Sequence, residues 1–359
     1  MATPGEISET RNGCWKVESI ARPYRRPPSR PPSTVATFDM YVDTLDAWER
    51  DLLQHHTLYT DAYSICWSAQ MQLRVVSDGS ALPPSIASFG WMMSNKDGER
   101  LAQGMGPVRG RTLHSYRAEA TGMLSALRFL IRLKEFCQMH EPWQGIVATD
   151  SQSLLDTLSG EQSLDENRNI PVDLDFNRVV LDVLSPEWDV LIEIQHSMKR
   201  LSGVRLEYIK GHQDQEIPYE RLSVLAQLNV DADRIAGEYQ ELFSSSRSPF
   251  AMMAPHVRSQ LVFKDGTVTS KYVETIEKEA TDSPLIDYLK ERNDWSIPVF
   301  DTIDWEIHGT LLKRMKAKRS QLIKYVHNML PLWVGLIGLM VENERVRYAI
   351  ARMRIEIMS

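Results

Sequence analysis

Gln72-Leu73-Arg74-Val75-Val76-Ser77-Asp78-Gly79-Ser80 is the stretch from which the fold of this chain can be read. Gln72 to Ser77 is rich in Val and Leu and predicts a strand; Asp78-Gly79-Ser80 closes it with polar punctuation. Downstream, Ile86 to Met93 predicts a second strand, Asn95-Lys96-Asp97-Gly98 a turn, and Arg100 to Met105 a third, antiparallel strand. Ser115 opens a helix with Glu119 near its first turn, and Leu124, Leu127, Phe129, Leu130, Ile131 and Leu133 give it a broad apolar face. Gly145 to Thr149 reads as a buried strand, Ser151 to Leu158 as a helix, Glu187 to Leu201 as an amphipathic helix, Val204 to Ile209 as a strand and Leu222 to Leu242 as a long helix. A hairpin start followed by alternating elements predicts an α/β fold, a mixed sheet with helices on its faces.

Four acids lie at telling places in that order: Asp78 and Asp150 where strands end, Glu119 and Asp233 on helices. Ligands of such sheets gather at the carboxyl ends of the strands. His212 lies between the last two acids, in Lys210-Gly211-His212-Gln213-Asp214. Taken singly, each has an ordinary explanation. Asp150-Ser151 suits a helix N-cap, Glu119 a surface helix position, Asp233 a local pair with Arg234, and His212 a structural hydrogen bond. Together, carboxylates from strand ends and facing helices can hold paired Mg²⁺ ions for phosphodiester cleavage.

The 359 residues allow about two domains, or one with extensions. A hydrophobic fraction of 43% is enough for a core. A net charge of −7 argues against a strongly basic nucleic-acid coat but not against a nuclease, whose metals bring positive charge to the site. Cys14, Cys66 and Cys137 form no C-x-x-C pair, which argues against a zinc module. Sparse, odd cysteines suit a reducing compartment, cytoplasm or nucleus. The apolar run Leu330 to Val341 is shorter than the roughly 20 residues a membrane helix needs, so no membrane partner is expected.

Asp-Gly-Ser after the first strand, Ala118-Glu119 in the first long helix, Thr149-Asp150-Ser151 after an apolar strand, Lys210-Gly211-His212-Gln213-Asp214 after a later strand, and Asn229, Ala232, Asp233 and Ala236 in the last helix come in a specific order. That set, over roughly residues 71 to 242, resembles ribonuclease H of the type carried by retroelement (reverse transcriptase) polyproteins. The resemblance implies a five-stranded mixed sheet flanked by helices. It also implies Mg²⁺-dependent cleavage, Mn²⁺ being a substitute, of the RNA strand of RNA/DNA hybrids. On this resemblance Asp78, Glu119, Asp150 and Asp233 hold two metals, and His212 assists turnover near the second. An RNA/DNA hybrid is then the partner, with a reverse transcriptase as a second one. Ser80, Ser151 and Lys210 stand near enough to contact nucleic acid.

The expected organisation is a disordered Pro/Arg-rich linker over 1–36, a short docking segment over 37–70, the ribonuclease H-like domain over 71–246, and an extension over 247–359. That extension holds an Asp-Gly hairpin at Phe263 to Val268, two further stretches at Tyr272 to Glu279 and Pro284 to Arg292, and a basic helix from Trp305 to Asn328. One departure from the family is the segment from Glu161 to Asp189, acidic where some relatives carry a basic protrusion. Two other readings are kept: an inactive nucleic-acid-binding or scaffold protein retaining the fold, and a DNA-strand nuclease or transferase of the same superfamily.

Overall fold

The computed structural model describes residues 5–9, 15–19, 36–69, 72–82, 86–140, 142–159, 181–182, 184–243, 248–294, 296, 298 and 302. The chain divides into two compact units, Met1–Tyr272 and Val273–Ser359.

The first unit begins with an antiparallel hairpin, β1 (Gly5–Glu9) and β2 (Trp15–Ser19), inside the segment expected to be a disordered linker. Residues 38–69 form α1 (Phe38–Asp43), α2 (Ala47–Leu53), β3 (His56–Leu58) and α3 (Ala62–Ala69). The strands read from the sequence follow as β4 (Leu73–Leu82), β5 (Ile86–Ser94) and β6 (Arg100–Pro107); β4 does not close at Asp78-Gly79-Ser80 as expected but runs through it, because β5 pairs with it as far as Leu82. After them come α4 (Ser115–Phe136), β7 (Gly145–Thr149), α5 (Gln152–Ser159), α6 (Trp188–Arg200), β8 (Val204–Tyr208) and α7 (Val224–Phe243). The β5–β6 turn is built as its residues predict: Asn95 Oδ1 accepts from the amides of Asp97 and Glu99, and Gly98 has φ +88°.

The fold is α/β, a mixed six-stranded sheet in the order β3-β6-β5-β4-β7-β8. Strands β4, β5 and β6 run antiparallel as a meander, whereas β7 and β8 run parallel to β4. The sheet has six strands rather than the expected five because β3 pairs antiparallel with β6. At three residues, β3 is too short to show an alternation in sequence.

Alternation along the strands divides the core into two layers. Leu73, Val75, Phe89, Trp91, Val147 and Leu206 face α4 and α6 in one cluster. Val76, Met92, Ala148 and Ile209 face α7 in the other, with Ala226, Leu228 and Ile235. Gly90 on β5 lies against α7, where a Cβ would overlap the Ala232 carbonyl, so the bare backbone lets this helix reach the sheet.

Helix α4 is buried nearly all round, because α1, α2 and α6 cover the side the sheet leaves free. Its buried arginines are therefore paired. Arg128 and Arg132 converge on buried Glu49 of α2, and Arg117 binds Glu187 and Asp189 at the start of α6. Trp91 Nε1 donates to Ser125 Oγ at 3.0 Å, and Ser125 Oγ to Leu52 O at 2.8 Å, tying sheet, α4 and α2 together.

The Asp-Gly hairpin forms as β9 (Leu261–Phe263) and β10 (Gly266–Val268). In place of two separate stretches, α8 (Tyr272–Asn293) is one helix running through Pro284. No helix among the described residues is long and apolar enough to cross a membrane. The Pro/Arg-rich stretch at 22–32, the basic helix expected at 305–328, the apolar run 330–341, and residues 161–180 and 183 of the acidic segment 161–189 lie outside the described residues.

Candidate metal centre

Two neighbouring parallel strands set the frame. Val76 pairs with Ala148 across β4 and β7, so continuing two residues along each chain puts Asp78 beside Asp150, both on the face toward α7. Glu119 arrives from the second turn of α4. It comes close because Gly79, next to Asp78, lies directly against the Ala118–Glu119 backbone, where any Cβ would overlap. Carboxylate oxygens of Asp78, Glu119 and Asp150 all lie within 4.8 Å of one another. Asp78 and Glu119 are buried, at 5% and 8% exposure, and Asp150 is half-buried.

Such crowding raises the proton affinity of each acid. Asp78 is pushed up to about 7 by burial, then by the charge of Asp150; a hydrogen bond with Glu119 opposes the shift. Glu119 is raised well above the usual carboxylate range by burial, then by the charges of Asp78 and Asp150. Burial also raises Asp150, against a side-chain hydrogen bond from Asn229 and the neighbouring charge of His212. Desolvation and like-charge repulsion thus act together on three groups. The donor side around them is thin: the Gly79 amide donates to Asp78 Oδ1 at 2.6 Å, and Thr149 Oγ1 to Glu119 Oε2 at 3.4 Å.

Asp233 is not one of the three that converge. It is exposed on α7, near enough that its charge raises both Asp78 and Asp150. His212 is exposed at a left-handed position, φ 51° and ψ 32°, leading into a short 3₁₀ turn. The residue before it, Gly211, lies so close to Asp150 that a Cβ would overlap Oδ2. Ser80 and Ser151 are half-buried, and Lys210 is exposed with Glu216 at 3.4 Å.

Two residues beyond those read as site residues belong to this centre. Asn229, 4% exposed, bonds Asp150 and leaves its Oδ1 buried without a protein partner. Its place four residues before Asp233 on one helix face was the available signal. Gly211 had no signal beyond its position before His212, because its role lies in a contact with a residue 61 positions away.

No family model matches this chain, and no curated protein matches it. Solved structures do match. The N-terminal RNase H domain of a Mycobacterium tuberculosis protein, solved as a fusion with maltose-binding protein, aligns at 16% identity over 49% of this chain and 98% of its own, TM-score 0.32. RNase H1 of Halobacterium salinarum aligns at 18% identity over 47% and 98%, TM-score 0.31. A foamy viral protease-reverse transcriptase in complex with RNA/DNA hybrid aligns at 12% identity over 48% and 20%, TM-score 0.32. What this chain does is read from its own carboxylates.

Proposed function

We propose that this chain is a Mg²⁺-dependent endonuclease that cuts the RNA strand of RNA/DNA hybrids, a ribonuclease H of the retroelement type. The observation that carries the reading is the convergence of Asp78, Glu119 and Asp150 within 4.8 Å. Buried carboxylates this close are costly unless protonated or matched by positive charge. The set offers oxygen ligands only, which suits Mg²⁺, with Mn²⁺ as a substitute. Asp78, Glu119 and Asp150 would hold the cations, and Asp233 would complete the set from α7.

Bound there, two cations supply a water of lowered pKa and a counter-charge for the departing 3′ oxygen. The chain's own groups do the rest. Asp78 within β4, Asp150 just past the end of β7 and Glu119 on α4 would set where the cations sit, and so where an anionic phosphate can be held. Asn229 orients Asp150. His212 stands beside Asp150 on an exposed turn; histidine is the side chain that passes protons near neutral pH. Ser80, Ser151 and Lys210 are assigned to hybrid contacts. RNA is distinguished from DNA by its 2′-hydroxyls in the wide minor groove. The order of the motifs supports the retroelement type, and with it a reverse transcriptase as partner.

The test is cleavage of a labelled RNA/DNA hybrid, with duplex DNA and duplex RNA as controls, in Mg²⁺ or EDTA. The wild type should cut only the hybrid RNA, and only with the cation, leaving 3′-hydroxyl and 5′-phosphate ends. Asp150→Asn should lower the rate by at least about a hundredfold. Undiminished cutting by Asp150→Asn would end this reading. Absence of both cleavage and calorimetric Mg²⁺ binding would favour an inactive scaffold instead.

A further inference from the structure

We propose that Tyr219, Asp231 and Arg100 form a clamp that holds the His212 loop beside the acid cluster, making all three positioning residues. The catalytic half of this inference rests on the nuclease reading above. The loop runs from the end of β8 to the start of α7, over residues 209–223. Ile209 and Leu222 bury its two extremities in the core under α7, but residues 214–221 are all exposed, Ile217 and Tyr219 at 40% and 36%, so burial does little to hold the stretch between. Polar contacts do that instead.

At the near end, Gly211 lies against Asp150 and Gln213 Nε2 donates to Lys210 O at 2.7 Å. Between the ends the contacts are local, turns such as Gln215 N to His212 O at 3.3 Å and Ile217 N to Gln213 O at 3.0 Å, and the exposed Lys210–Glu216 pair at 3.4 Å. At the far end, Tyr219 OH donates to the Asp231 carboxylate, at 3.0 Å from Oδ1 and 3.1 Å from Oδ2, and accepts from Arg100 Nη2 at 2.8 Å. Arg100 also donates to Asp231 Oδ2, through Nε at 3.0 Å and Nη2 at 2.7 Å. Its Nη1 donates to Gly98 O at 2.6 Å, and Gln227 Nε2 donates to Tyr219 O at 3.1 Å.

The Arg100 and Asp231 side chains are 22% and 15% exposed, so these charge-assisted bonds are partly sheltered from water. Asp231 lies on α7, two residues from Asn229 and two from Asp233. The clamp therefore ties the loop to the helix that carries Asp233, and to the first residue of β6. His212 itself needs fixed neighbours, because a left-handed backbone is disfavoured for a residue other than glycine.

The test uses the full chain and Tyr219→Phe, which removes one hydroxyl, with Asp231→Asn as a second variant. Hydrogen exchange at the Gln215, Glu216 and Ile217 amides should quicken about tenfold in both, since a hydrogen bond to a charged group is lost. Hybrid cleavage by Tyr219→Phe should show kcat about tenfold lower with KM for the hybrid unchanged. In a His212→Ala background the same substitution should leave kcat unchanged, because the clamp acts through His212. Unchanged exchange in both variants overturns the clamp. Equal loss of kcat in both backgrounds overturns its positioning role. A wild type that cuts no hybrid overturns the nuclease reading, and with it the catalytic half of this inference; the exchange measurement still decides the clamp itself.

Discussion

Replacing Asp78 by asparagine should make the cation-free protein more stable at pH 8 while leaving it nearly unchanged at pH 4. Asn has the size of Asp and no charge to bury. In the folded chain Asp78 is held at about 7 instead of its ordinary 3.8. Between those values the folded state keeps a proton that the unfolded chain has released, so stability falls as pH rises through that window. At about 1.36 kcal/mol per pH unit, the full fall is about 4 kcal/mol, complete above pH 7. Asp78→Asn removes this loss, so the gap between variant and wild type should open from about zero at pH 4 to a few kcal/mol at pH 8. Urea unfolding in EDTA across that range measures it. Added Mg²⁺ at about a hundred times its Kd should restore about 2.7 kcal/mol to the wild type and much less to the variant. A gap independent of pH, or a variant less stable than wild type at pH 8, would refute the idea that this carboxylate is buried without compensation.

Gly211→Ala puts a methyl group into Asp150 Oδ2; displacement of that carboxylate should weaken Mg²⁺ binding by calorimetry, and unaltered affinity would show that the loop yields instead. Glu49→Gln leaves Arg128 buried without a counter-charge and Arg132 with Glu135 alone, and should cost about 3–5 kcal/mol in urea unfolding; a cost below about 1 kcal/mol would count against that ion cluster as a folding determinant. The Cys66 and Cys137 thiols are buried, and a hydrogen bond with Cys137, then burial, pushes the Cys66 thiol well up. Thiol reagents should label both only as fast as the chain opens, so rapid labelling in native buffer would contradict the packing of α3 on α4.

Strands β4, β5, β6, β7 and β8 were legible because each is a short Val-, Ile- or Met-bearing run bounded by turn residues. Strand β3 was not, since its three residues owe their extended form to β6 and not to a pattern of their own. Tyr272 to Glu279 and Pro284 to Arg292 read as separate stretches; α8 joins them in one helix. In the centre, Asp150 could be placed from its strand end, whereas Asp78, read as closing a strand, lies inside β4, which stays paired with β5 as far as Leu82; parallel register with β7 brings the two acids together. Asp233 could be put on the right helix, yet its distance from the other acids depends on how closely Gly90 lets α7 approach. The Tyr219–Arg100 bond joins residues 119 apart in the chain, and nothing local to either announces it.

The outer strands of the sheet carry a further consequence. Any border strand offers unpaired amides and carbonyls on which a second polypeptide can assemble. Among the described residues one border is β3, only three residues long, and the other is β8, where Arg205 and Glu207 flank buried Leu206. A brief strand at one rim and charged side chains at the other both discourage lateral stacking between copies. Exchanging Arg205 and Glu207 for valines should therefore promote association through that rim.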